Sequence, residues 1–145
     1  MINLTKVETD LVYGVDYVAY SNLDTGAVAE VESNNTSASA NDLGTKDWNL
    51  APNGSIPSAA TRPHLTVTGS KSGTDTDYFK ITLLEPGQIQ LTNGSGLVAG
   101  DVVVRNAADT ATVASGFAIS GVLAAGTYLV KVTPTGNYTL HISAD

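Results

Sequence analysis

The chain has 145 residues, 42% of them hydrophobic and only 14% charged, so it can bury one domain core while lacking the charged helix surfaces of an average soluble domain. Its formal net charge of −7, from 14 acidic and 7 basic residues, repels phosphate backbones and anionic lipid and argues against nucleic acid and membrane surfaces as partners. Cysteine is absent, which removes disulfides and thiolate chemistry.

Residues 1–28 read as an N-terminal arm and 29–145 as a globular body. The opening Met1–Lys6 lacks the basic region and apolar run of a secretory signal. Three origins remain for such a start: a processed fragment, export without an N-terminal signal, or a virion component freed by lysis. No run reaches the roughly 20 apolar residues of a membrane span. The stretch Leu11–Tyr20 is rich in β-formers and holds Tyr13, Tyr17 and Tyr20, three of the six tyrosines. It is either one more strand of the body or an arm that pairs with a neighbouring subunit, with those tyrosines as contacts.

Next comes one helical turn near Thr36–Leu43, capped by Asn35 or Thr36. Lys46–Pro63 is long and irregular and carries the single tryptophan, Trp48, which reads as a lid over one end of the body. Strands follow at short spacing. His64–Thr68 is the first. Tyr78–Leu83 alternates cleanly, with Phe79, Ile81 and Leu83 on one face. Glu85-Pro86-Gly87 is a turn, and Gln88–Thr92 alternates again. Asp101–Arg105 is a fuller apolar run, expected to be central or buried on both faces. Ala111–Ala114 and Phe117–Val122 are weaker strands. Gly126–Val132 turns Tyr128, Val130 and Val132 inward. Tyr138–Ile142 turns Tyr138, Leu140 and Ile142 inward and leaves His141 as an exposed spacer. Many short strands and no useful amphipathic helix predict an all-β fold, a jelly-roll-like antiparallel β-sandwich with an extended N-terminal arm.

Two acidic segments carry candidate chemistry. In Glu30-Val31-Glu32-Ser33-Asn34, extended backbone points both carboxylates and Asn34 the same way. In Thr74-Asp75-Thr76-Asp77, two more same-side carboxylates precede the strongest strand. Carboxylate and amide oxygens are hard ligands, suited to Ca²⁺ rather than zinc or copper. If the segments meet at one sandwich edge, a bound cation offsets the repulsion among four carboxylates. The plain alternative is that these are solvated loop acids, since neither segment carries a loop signature such as the EF-hand. His64 and His141, the two histidines, have no spacing to a nucleophile with an orienting acid, so the chain is expected not to be an enzyme.

Several blocks occur in order over about residues 29–143. They are Glu30-x-Glu32-x-Asn34-Asn35 with Ala38 and Ala40, Val67-Thr68-Gly69, Asp75-Thr76-Asp77-Tyr78-Phe79-Lys80-Ile81, Ala125–Val132 and Gly136–Leu140. Together they resemble the bacterial pre-peptidase C-terminal domain, which is related to the collagen-binding domains of clostridial collagenases. The resemblance implies a jelly-roll-like sandwich found beside secreted proteases and in surface proteins. It also implies Glu30, Glu32, Asn34, Asp75 and Asp77 as calcium ligands. The Thr45–Arg62 stretch is longer than the family's usual connection, which leaves open whether the two acidic segments meet. Collagen binding does not carry over, because no ligand-contacting surface matches.

Two functions compete. One is a non-enzymatic extracellular binding or structural module, calcium-stabilised, with a protein or polymer partner. The other is a structural subunit of an extracellular assembly, such as a virion decoration, spike or surface filament protein, which contacts copies of itself through the arm. Both place the chain outside the cell, on a cell surface or on a virion surface.

Overall fold

The computed structural model describes residues 22–70 and 74–145, together with the backbone of two N-terminal strands. Those strands, β1 (Lys6–Asp10) and β2 (Asp16–Tyr20), pair antiparallel as a two-stranded sheet of their own. Tyr13, expected as an arm contact, lies outside the described residues, as do the side chains of Tyr17 and Tyr20.

The body is an all-β sandwich. The strands are β3 (Ala27–Ala29), β4 (Asn41–Asp42), β5 (His64–Gly69), β6 (Asp77–Leu83), β7 (Ile89–Ser95), β8 (Val102–Asn106), β9 (Thr112–Ser115), β10 (Gly126–Val132) and β11 (Tyr138–Ala144). One sheet runs β4-β6-β10-β8-β9 and the other β3-β5-β11-β7. All pairings in the body are antiparallel except the two short edge strands, β3 on β5 and β4 on β6, which are parallel. Both sheets are therefore mixed at one edge.

Side-chain alternation builds the core. Phe79 and Ile81 of β6, Val102 and Val104 of β8, and Val130 and Val132 of β10 point inward from the five-stranded sheet, each with 1% or less of its surface exposed. They meet Leu65 and Val67 of β5, Ile89 and Leu91 of β7, and Leu140 and Ile142 of β11. Trp48 packs into the same cluster and donates its indole N–H to the Leu43 carbonyl at 2.9 Å. The expected lid is thus seated in the core. The predicted helical turn is a 3₁₀ turn at Ser37–Ser39 capped by Thr36.

Two local expectations change, and one outward side chain is more enclosed than its direction suggests. His141 points away from the core as its parity requires, but it is only 8% exposed rather than an open spacer. It sits on β11, a central strand flanked by β5 and β7, and its Nδ1 pairs with Thr66 Oγ1 at 2.8 Å. Phe117–Val122 forms no strand. The Ser120 hydroxyl accepts the Ile89 N–H at 2.9 Å, where a ladder would use a backbone carbonyl, so only one isolated bridge, Gln90 with Ile119, joins this segment to β7. Finally, Leu129 points outward on β10 yet is 2% exposed, standing in register between Lys80 and Arg105.

On the outer face of the five-stranded sheet, Asp109 gathers a polar clamp. Arg105 Nε donates to Asp109 Oδ1 at 2.7 Å and the Tyr78 hydroxyl donates to Oδ2 at 2.9 Å. The Arg105 interaction first, and the Tyr78 hydrogen bond with it, hold the Asp109 carboxyl below the usual aspartate range. At the other end of the body, Gly87 lies so close to the Asp145 carbonyl that a Cβ would overlap it, so only glycine fits there.

Candidate metal centre

The segment from Glu30 to Asn34 crosses between the sheets at one pole. Its first residue is fixed to the four-stranded sheet, where Glu30 N–H donates to the Thr68 carbonyl at 2.8 Å. Its last residue is fixed to the five-stranded sheet, where the Asn34 carbonyl accepts Tyr78 N–H at 3.0 Å. Between them the Asn41 side chain grips Val31, accepting its N–H at 2.8 Å and donating to its carbonyl at 2.9 Å. That clamp sets the two glutamates on either side of Val31.

The second acidic segment arrives at the head of β6. Asp77 shares the inward parity of Phe79 and Ile81, so its carboxylate points into the end of the sandwich, with 0% of its surface exposed. Opposite stands Tyr138, the inward residue that opens β11. Its hydroxyl donates to Asp77 Oδ2 at 2.7 Å and lies 3.4 Å from Glu30 Oε2. Gly69 makes room for this meeting, because a Cβ there would collide with the Tyr138 hydroxyl and with Glu30 Oε2. Glu30 Oε1 accepts the Ser70 N–H at 2.6 Å.

Glu30, Glu32 and Asp77 each bring a carboxylate oxygen to within 4.8 Å of the others. Asp75 is buried and its carboxyl adjoins Glu32. Asn34 is fully buried; its Nδ2 donates to Asn41 Oδ1 at 3.3 Å, while its Oδ1 has no hydrogen-bond partner. Asp77 Oδ1 is likewise buried without a partner. Two orphaned buried oxygens beside a carboxylate group are costly unless something donates to them or binds them. The two acidic segments do meet, despite the long Thr45–Arg62 connection.

The electrostatics reflect the crowding. Burial, followed by the nearby Glu30 and Asp75 charges, pushes Asp77 up to about 7 against the lowering pull of the Tyr138 hydrogen bond. Desolvation and then the hydrogen bond with Asp75 hold Glu32 above the usual glutamate range. Burial and the Asp77 carboxylate raise the Tyr138 phenol, so its hydroxyl stays a donor.

The oxygens gathered here are hard donors with no thiolate or imidazole among them, a set that suits Ca²⁺ better than zinc or copper. Both histidines are engaged elsewhere: His64 Nε2 is 2.9 Å from the Ala51 carbonyl, and His141 is held by Thr66. Sequence reasoning missed Tyr138, Gly69 and Asn41 as parts of this pole. Tyr138 was legible as an inward residue, but that its hydroxyl crosses to the other sheet depends on strand pairing that alternation does not encode.

No protein-family model matches the chain. No curated protein matches it either. Among solved structures, it is similar to PliG of Aeromonas hydrophila, a periplasmic lysozyme inhibitor of g-type lysozyme. The identity is 15% and the TM-score 0.48, over 57% of this chain and 86% of that one. Among the described residues, no helix is long and apolar enough to cross a membrane.

Proposed function

We propose that the chain is a non-enzymatic extracellular binding module whose polar pole takes Ca²⁺, with Glu30, Glu32, Asn34, Asp75 and Asp77 as ligands. The observation that carries this reading is the pair of buried, partnerless oxygens, Asn34 Oδ1 and Asp77 Oδ1, beside carboxylates that repel one another. A bound cation would satisfy both oxygens and offset the repulsion. Because Glu30 is tied to the four-stranded sheet and Asp77 belongs to the five-stranded one, the ion would act as a clasp across the sandwich. The resemblance of its sequence blocks to pre-peptidase C-terminal domains is in line with the same reading, as is the net charge of −7. The test is thermal melting in Ca²⁺ and in EGTA, with the Asp77→Asn variant beside the wild type.

A second reading, a structural subunit of a surface or virion assembly, is favoured by one observation. Strands β1 and β2 form a sheet separate from both body sheets, and an isolated two-stranded ribbon is marginal in water unless it packs on something. A neighbouring copy of the chain would supply that surface.

A further inference from the structure

Beside the polar pole, an open recess of about 540 Å³ curls over the end of the four-stranded sheet, a volume within the range of small-molecule sites. It crosses the ends of all four strands of that sheet, from Ala29 and Glu30 past Thr68 and Thr139 to Ser95. At an inter-strand spacing of about 4.8 Å this is a path of roughly 14 Å, long enough for a short oligosaccharide.

The lining selects the ligand class. Among the described residues neither lysine nor arginine lines it, and the chain is acidic overall, which disfavours an anionic polymer. The one carboxylate that lines it, Glu30, turns toward the proposed cation site and is bonded by Ser70 N–H, so the rest of the recess offers a cationic ligand no counter-charge. Its lining mixes polar and apolar surface about equally, which suits the mixed faces of a sugar better than a purely apolar ligand. What remains is a row of polar groups. The side chains of Thr68, Ser95, Asn137 and Thr139 line the recess, and none of them makes a hydrogen bond to the described residues. Hydroxyls and amides of this kind both donate and accept, which matches a ligand made of neutral hydroxyls.

We infer that this recess binds a neutral, hydroxyl-rich glycan chain laid across the strand ends. The proposal is independent of the cation, although Glu30 and Tyr138 border both sites.

The test is native affinity electrophoresis of the full chain through gels that contain soluble starch, a β-1,3-glucan, hydroxyethylcellulose, galactomannan or xylan, with polygalacturonate as the acidic comparison. At least one neutral polymer should retard the protein. Ser95→Arg and Thr139→Arg should weaken that retardation at least about tenfold by filling the recess with a long side chain. Thr127→Arg, on the other sheet, should not. Asn137→Ala is an exposed change that serves where an arginine disturbs the fold, as judged by circular dichroism. No retardation by any of the neutral polymers would overturn the proposal. So would retardation by polygalacturonate alone, or retardation unchanged in the recess variants. Gels run in EGTA keep the two sites apart: retardation should persist there, and its loss would assign the ligand to the cation and overturn the recess.

Discussion

Replacing Asp77 by asparagine should have opposite effects with and without calcium. In the ion-free protein Asp77 titrates near 7, against 3.8 for an ordinary aspartate. The folded state therefore binds this proton more tightly than the unfolded chain. Its contribution is most favourable below about pH 4 and is lost as the pH rises through about 7. A shift of roughly 3 units sets a ceiling of roughly 4 kcal/mol at pH 8. Solvent screening beside the exposed Glu32 reduces this to about 1–2 kcal/mol. In EGTA at pH 8, Asp77→Asn removes the buried charge and keeps an oxygen for the Tyr138 hydroxyl. It should raise Tm by about 3–6 °C and flatten the decline in stability between pH 5 and pH 8. In Ca²⁺ at a hundredfold excess over Kd, the wild type should gain about 2.7 kcal/mol, while the variant, short of a buried ligand, should gain much less. The two melting curves therefore exchange order. Scanning calorimetry at both pH values, in EGTA and in Ca²⁺, reads this directly. A variant destabilised equally under all four conditions, with no calcium shift in the wild type, would show that Asp77 only accepts the Tyr138 hydrogen bond, and the reasoning would fail.

Other outcomes follow from separate features. Asp109→Ala leaves the Tyr78 hydroxyl and the Arg105 guanidinium short of an acceptor and should cost about 1–2 kcal/mol in urea denaturation. Its Asp109 interactions also hold that carboxyl low, so the wild type should lose this contribution as pH falls through the acid range, which the variant will not show. Trp48→Phe removes the indole N–H from the Leu43 carbonyl, which keeps the Lys46 N–H at 3.1 Å, and should cost about 0.5–1.5 kcal/mol, measured by the same denaturation. Deleting residues 1–21 separates the two functional readings by light scattering. A multimer that becomes monomeric supports arm-mediated assembly, and a full-length chain that is already monomeric refutes it.

Much of the body was legible because its strands alternate. Phe79, Ile81, Val130, Leu140 and Ile142 fall inward as a period of two requires. The parallel edge strands were not legible, since β3 and β4 are three and two residues long, too short for a period to register. His141 shows the limit of the same logic: parity gives direction, while exposure depends on what stands to either side. The acidic segments were legible as same-side oxygens. Their convergence was not, because it depends on a crossing between sheets fixed by backbone hydrogen bonds from Glu30 and to Asn34. Tyr138 and Gly69 pair in register across β11 and β5, a relation between positions 69 residues apart that no local pattern contains.

The hydroxyl of Tyr138 bridges layers that otherwise touch through oil-like contacts. A non-directional interior tolerates small sliding of one layer over the other, whereas a short polar link between Asp77 and Tyr138 fixes their lateral alignment at that end. Mechanical load pulling the layers apart should thus have to break this link at the polar pole before the layers can slide there.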